Sequence, residues 1–174
     1  MIVTLFGRAS VAQKMKQFEN VIKLLVDAGH DVLLNESLYS IQGGLQNPFN
    51  LSKIKIPDDA IDYVLSLGGD GTMLEAVTWI GDKAIPVLGL NFGRLGFLTD
   101  TVASFTADTV KRLQEKDLVV DERSMLLWTN PEGEPIRRFP HALNDITIQR
   151  ASSSSMITIH VTIDGIPLNS YWAD

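Results

Sequence analysis

The chain has 174 residues, 45% of them apolar and 21% charged, a formal net charge of −6 and no cysteine. This composition argues against whole-chain disorder, against disulfide frameworks and thiolate metal sites, and against a general electrostatic grip on nucleic acid or an anionic membrane. With no leader-like segment and no apolar run near the roughly 18 residues of a membrane span, the sequence reads as a soluble cytoplasmic protein that holds any polyanionic ligand locally.

Residues 2–6 form an apolar, partly β-branched run ending at Gly7, and Val11, Met15, Phe18, Ile22 and Leu25 follow at helical spacing. Gly29 stops that helix and a second apolar run occupies 31–34, so the opening predicts a βαβ unit with parallel pairing. Residues 36–57, with Gln42-Gly43-Gly44 and Asn47-Pro48, lack sustained periodicity and read as a surface excursion. The run 61–67 suits a strand buried on both faces. Gly68, Gly69, Asp70, Gly71 and Thr72 then turn into a helix carrying Met73, Leu74, Ala76, Val77 and Ile80. A strand at 85–90, a second glycine-rich loop at 91–97 and helical spacing through 101–116 complete a parallel-sheet α/β domain at residues 1–117. Beyond it, β-rich runs at 118–120, 125–128, 146–148 and 157–163 alternate with turn signals at 130–133, 152–155 and Asp164-Gly165. They predict a β-rich second domain over 118–174, which ends without a turn or charged tail and reads as incomplete.

The chemistry concentrates at 68–72. Glycines let several backbone N–H groups face one concavity, and the helix behind adds its unpaired amides and the positive end of its dipole. Such an anion cradle needs no basic patch, which reconciles it with the acidic chain. Asp70 is ionised at neutral pH and is out of place in a phosphate turn unless it has work to do. It could accept the proton of an attacking hydroxyl, or approach phosphates through a magnesium ion. The competing structural reading is a tight turn in which Asp70 or Thr72 caps the helix. Neither a Walker A element nor a GxGxxG fingerprint is present.

Gly68-Gly69-Asp70-Gly71-Thr72, followed by Asn91-Phe92-Gly93-Arg94-Leu95-Gly96-Phe97-Leu98-Thr99, resembles two successive signatures of the NAD kinase family. Ala142-Leu143-Asn144-Asp145 resembles a third, and 161–165 with Tyr171-Trp172-Ala173-Asp174 resembles the run leading into the family's Thr-Pro-Thr-Gly segment. The resemblance implies an α/β N-terminal domain with a glycine-rich phosphate loop, followed by part of a β-rich C-terminal domain, and phosphorylation of the 2′-hydroxyl of NAD by ATP with a divalent metal such as Mg2+. It also implies NAD held between the domains and a homo-oligomer when full length. By carry-over, Asp70 is the catalytic acid/base residue; Gly68, Gly69, Gly71 and Thr72 form the phosphate loop, with Gly71 and Thr72 also meeting NAD. Leu74 and Phe97 line the adenine end, Asn144 and Asp145 bind ribose hydroxyls, and Asp174 falls near the nicotinamide half. Asp145 is one methylene shorter than the family's usual glutamate.

Two other readings compete. Lipid kinases share a GGDGT-like turn, but 91–99 and the Asn144-Asp145 pair suit a dinucleotide, and no Lys/Arg-rich amphipathic membrane helix is present. A non-enzymatic fragment that folds or binds nucleotide without turnover is the second. His30, His141 and His160 lack metal-ligand spacing and read as packing or surface residues, Arg94 either reaches a phosphate or is a solvated loop charge, the latter favoured, and 152–155 reads as a solvated connection.

Overall fold

The computed structural model describes residues 1–46, 49–93, 96–101, 104–136, 140–143, 145–151 and 156–173. These cluster into two compact units, residues 1–123 and 124–174.

The first unit is built on a six-stranded, all-parallel sheet: β1 (Ile2–Gly7), β2 (Asp31–Asn35), β3 (Ser52–Ile54), β4 (Tyr63–Leu67), β5 (Val87–Asn91) and β6 (Asp100–Thr101), in the order β3-β2-β1-β4-β5-β6. Alternate residues of the central strands face two cores, which is why β1 and β4 are apolar almost throughout. On one face Val3, Leu5, Leu34, Leu65 and Leu90 meet Phe18, Ile22 and Leu25 of α1 (Met15–Asp27) and Val110 and Leu113 of α4 (Ala107–Glu115). On the other, Phe6 and Val64 meet Ala76 and Ile80 of α3 (Asp70–Ile80). The chain winds outward from β1 to β3, returns to β4 on the other side of β1, and continues to β6. The order therefore reverses between β1 and β4, and the crevice at their carboxyl ends is where open α/β sheets take ligands.

Several local features differ from the expectations. The first helix is preceded by a 3-10 turn at Ala9–Lys14, with no side chain capping either segment. The excursion at 36–57 contains the one-turn helix α2 (Glu36–Tyr39), capped by Asn35, and the edge strand β3. The last helix starts at Ala107 instead of near 101, because Thr106 and Thr109 form a capping box. Phe105 and Val110, both buried, flank that cap as a hydrophobic staple. The expected strand at 118–120 is absent: Val119 and Val120 are exposed and have no ladder partner, and β-propensity alone does not make a strand.

In the second unit, β7 (Met125–Leu127) pairs antiparallel with β8 (His141–Leu143), and β9 (Ile157–Ile163) forms a hairpin with β10 (Ile166–Ala173). Asp164 and Gly165 have φ of 51° and 78°, the left-handed pair that a two-residue hairpin turn requires. The expected strand at 146–148 is not formed; Ile148 is exposed.

Candidate active site

The crevice at the sheet's reversal is shaped by the exits of β1 and β4. Gly7 closes β1 where an added Cβ would lie 3.1 Å from Leu38 Cδ2 and 3.1 Å from Leu67 O. Asn35, buried at the end of β2, donates through Nδ2 to Gly7 O at 2.9 Å and accepts from the amides of Gly7 and Leu38 through Oδ1. This side chain locks the adjoining strand ends together.

After β4, Gly68 donates its amide to Leu90 O at 2.9 Å, and the helix begins at Asp70 with no side chain capping Gly69. Thr72 is the first amide to enter the helical ladder, donating to Gly69 O at 2.9 Å, so those of Asp70 and Gly71 lie ahead of it. Thr72 is buried and packs over Gly68, where an added Cβ would come within 2.3 Å of Thr72 Oγ1. Arg8, just past β1, forms a bidentate ion pair with Glu75 of α3, and its Nη2 lies 4.0 Å from the point a Cβ on Gly71 would occupy. Hydrogen bonding from Arg8 lowers the pKa of Glu75 below the usual glutamate value.

Asp70 does not cap the helix. Its carboxylate reaches across to the second glycine-rich segment: Oδ2 accepts from the Phe97 amide at 2.9 Å, and Oδ1 accepts from the Leu98 amide at 3.0 Å and Thr99 Oγ1 at 3.2 Å. These donors, the Phe97 amide first, pull the carboxyl pKa below its ordinary value. Asp70 is therefore ionised and a weak base. Two glycines make room for the docking. A Cβ on Gly96 would fall 2.1 Å from Asp70 Oδ1, and one on Gly89 of β5 would fall 2.6 Å from Thr99 Cγ2. Asn91, at the end of β5, donates to Thr99 Oγ1 at 3.4 Å and accepts from the Gly93 amide at 2.9 Å.

The family model described as ATP-NAD kinase N-terminal domain matches residues 3–118, which contain both of these segments. The chain belongs to the ATP-NAD kinase family. It is 36% identical over 178 residues to the NAD kinase of Cytophaga hutchinsonii, covering 100% of this chain and 61% of that protein. With the NAD kinase of Bacteroides fragilis it shares 35% identity over 181 residues, covering 100% of this chain and 60% of that one. The chain thus spans about three fifths of the length of these relatives. Its fold is similar to that of yeast NADH kinase in complex with NADH, with a TM-score of 0.75 at 21% identity, covering 100% of this chain and 55% of that one.

Within this member of the ATP-NAD kinase family, the expected site residues fall into four groups. Gly68, Gly69, Asp70, Gly71 and Thr72 lie together at the β4–α3 junction, and Phe97 is held there through its amide while the residue is 99% exposed. Leu74, on α3, is partly exposed instead of being core. Asp145 belongs to the second unit, exposed just after β8, its amide donating to Leu143 O at 3.2 Å. Asn144 and Asp174 lie outside the described residues, as do Arg94 and 152–155. His30 is buried in the first unit, and His160 meets Ser170 across the hairpin at 2.7 Å. No group of three or more metal-ligating side chains occurs among the described residues, and none of the helices among them is long and apolar enough to cross a membrane.

Sequence reasoning missed the partners of Asp70. The sequence marks Thr99 and Asn91 only as members of a motif, and Gly89 only as part of the strand run 85–90. The available signal was Gly89 itself, since an isolated glycine inside a buried strand marks close approach by another segment.

Proposed function

We propose that the complete protein is an NAD kinase, transferring a phosphoryl group from ATP to the 2′-hydroxyl of the adenosine ribose of NAD to give NADP and ADP. The observation that carries this reading is the position of Asp70: an ionised carboxylate at the amino end of α3, at the carboxyl edge of the sheet, clamped to a second glycine-rich segment. In this reading residues 1–117 are the nucleotide-binding domain and 118–174 part of the β-rich domain that meets NAD. The family resemblance adds a homo-oligomer, and the composition of the sequence a cytoplasmic location.

Phosphates are held by main-chain donors at 68–72, including the Asp70 and Gly71 amides ahead of the helical ladder, with Arg8 the cation beside them. Asp70 accepts a hydrogen bond from the 2′-hydroxyl and takes its proton as the new phosphorus–oxygen bond forms and the bond to ADP breaks. Its weak basicity is adequate because phosphoryl transfer is loose and rewards alignment of the attacking oxygen over base strength. The exposed Phe97 offers an apolar face for adenine beside that carboxylate, with Leu74 in the same apolar wall. Asn144 and Asp145 bind the ribose diol, and Asp174 the nicotinamide half. Among the described residues no group of three or more metal-ligating side chains occurs, so Mg2+ would be carried mainly by the donor's own phosphates beside Asp70; the ion would neutralise phosphate charge.

The test is to incubate the complete gene product with ATP, Mg2+ and NAD and to measure NADP with an NADP-specific dehydrogenase. NADP formed in step with ADP supports the reading; ADP release without NADP, or no turnover, overturns it.

A further inference from the structure

We propose that Thr99 is a positioning residue for Asp70, sorting its two carboxylate oxygens so that Oδ2 alone receives the acceptor hydroxyl; the catalytic part of this claim rests on the kinase reading above. A carboxylate offers about four acceptor positions. Among the described residues three are filled, one on Oδ2 by the Phe97 amide and two on Oδ1 by the Leu98 amide and the Thr99 hydroxyl. Thr99 thus completes Oδ1 and leaves the spare acceptor position on Oδ2.

Each substituent of Thr99 is accounted for. The residue is buried; Oγ1 donates to Asp70 at 3.2 Å and accepts from Asn91 Nδ2 at 3.4 Å. Its Cγ2 rests where Gly89 has no side chain, at 2.6 Å from the position of an added Cβ. With its hydrogen donated to Asp70, the hydroxyl uses a remaining lone pair for Asn91, so the direction of the Asn91–Thr99–Asp70 chain is fixed. The methyl registers the segment on the sheet, and the hydroxyl transmits that register to the carboxylate. Asp70 is consequently held from β5 as well as from its own helix. The lowered pKa of Asp70 agrees with this donor set.

Thr99→Val and Thr99→Ser separate the two functions of the side chain. Valine keeps a methyl over Gly89 but cannot donate, whereas serine keeps the hydroxyl and loses the methyl. Amide hydrogen exchange of the complete gene product reads the clamp without any assay of activity. In Thr99→Val, exchange at Phe97 and Leu98 should rise about tenfold, the scale of one hydrogen bond to a charged group, while amides in β1 and β4 keep their protection. In the complete gene product, Thr99→Val should lower kcat for NADP formation about tenfold with the KM for NAD within about twofold, and Thr99→Ser should restore both readouts. Unchanged exchange at 97 and 98 in Thr99→Val, or an unchanged kcat in an active wild-type background, overturns the proposal. So does loss of protection spreading into β1 and β4 without recovery in Thr99→Ser, which would make Thr99 a packing residue only. A wild-type protein that forms no NADP sinks the kinase reading, while the exchange arm still decides the clamp.

Discussion

Replacing Gly96 by alanine tests whether the site depends on the fit between its two glycine-rich segments. The substitution adds one methyl group at the place where the second segment meets Asp70. The added methyl carbon would sit 2.1 Å from Asp70 Oδ1, 2.7 Å from Thr99 Oγ1 and 2.8 Å from Asp70 Cγ. Ordinary contact begins near 3.4 Å, so the carboxylate and the segment must separate by about 1.3 Å. A misplacement of about 1 Å costs on the order of 10²-fold when catalysis works by alignment. The kcat for NADP formation should therefore fall about 10²-fold in Gly96→Ala. Because the change lies at the sheet's edge, far-UV circular dichroism and the thermal midpoint should remain close to wild type. A Gly96→Ala protein with wild-type kcat would refute the reasoning, since the carboxylate would then have moved without consequence.

Asp70→Asn should lower kcat by about 10²–10⁴ through loss of the proton acceptor. It should also loosen the Phe97 and Leu98 amides, because an amide group offers acceptors on one atom only; steady-state kinetics and hydrogen exchange check the two effects. The lowered Asp70 pKa predicts a pH dependence of docking. The ionised carboxylate favours the docked 97–99 segment, so this contribution is full above the ordinary aspartate range and is lost as pH falls through the lowered value. Amide shifts of Phe97 and Leu98, followed by NMR, should have a midpoint below that range; a midpoint at or above it would contradict the donor arrangement. Gly89→Ala places a methyl 2.6 Å from Thr99 Cγ2 and 3.1 Å from both Leu98 O and Thr99 Cα, so backbone must yield. Overpacking of about 1–3 kcal/mol is expected in urea denaturation. On the proposed kinase reading, residues 1–174 by themselves should yield little or no NADP, because they span about three fifths of the relatives' length; robust turnover by the purified 174-residue chain would overturn this.

The alternation of β-branched runs with helical spacing was legible because parallel strands and amphipathic helices each bury a characteristic face, as Val3, Leu5, Phe18 and Leu25 do. What escaped was decided by partners remote in sequence. β3 is three residues long, with Ser52 and Lys53 exposed, and is a strand only because β2 offers it an edge. Residues 118–120 have strand composition and no such edge. The turn at Asp164-Gly165 was readable, but β10 was not, since Pro167 and Asn169 interrupt its apolar pattern and the register is irregular there. At the site, Asp70 stood out as a carboxylate in a phosphate turn. Its engagement did not, because two of the three donors are backbone amides and all lie 27–29 residues downstream. Side-chain identity says little about where a main-chain N–H points.

The strand order carries a consequence for how the chain is made. β1 pairs first with β2, some thirty residues on, but its other edge waits for β4, whose partner residues are about sixty positions away, as Val3↔Tyr63 shows. At about 5–20 residues per second of synthesis, that edge stays open for several seconds with Val3, Leu5 and Phe6 unburied on their β4 side. An apolar strand with unpaired hydrogen-bonding groups is a template for association. The nascent βαβ unit is therefore the stage at which a chaperone, or a neighbouring nascent chain, has access to the centre of the sheet.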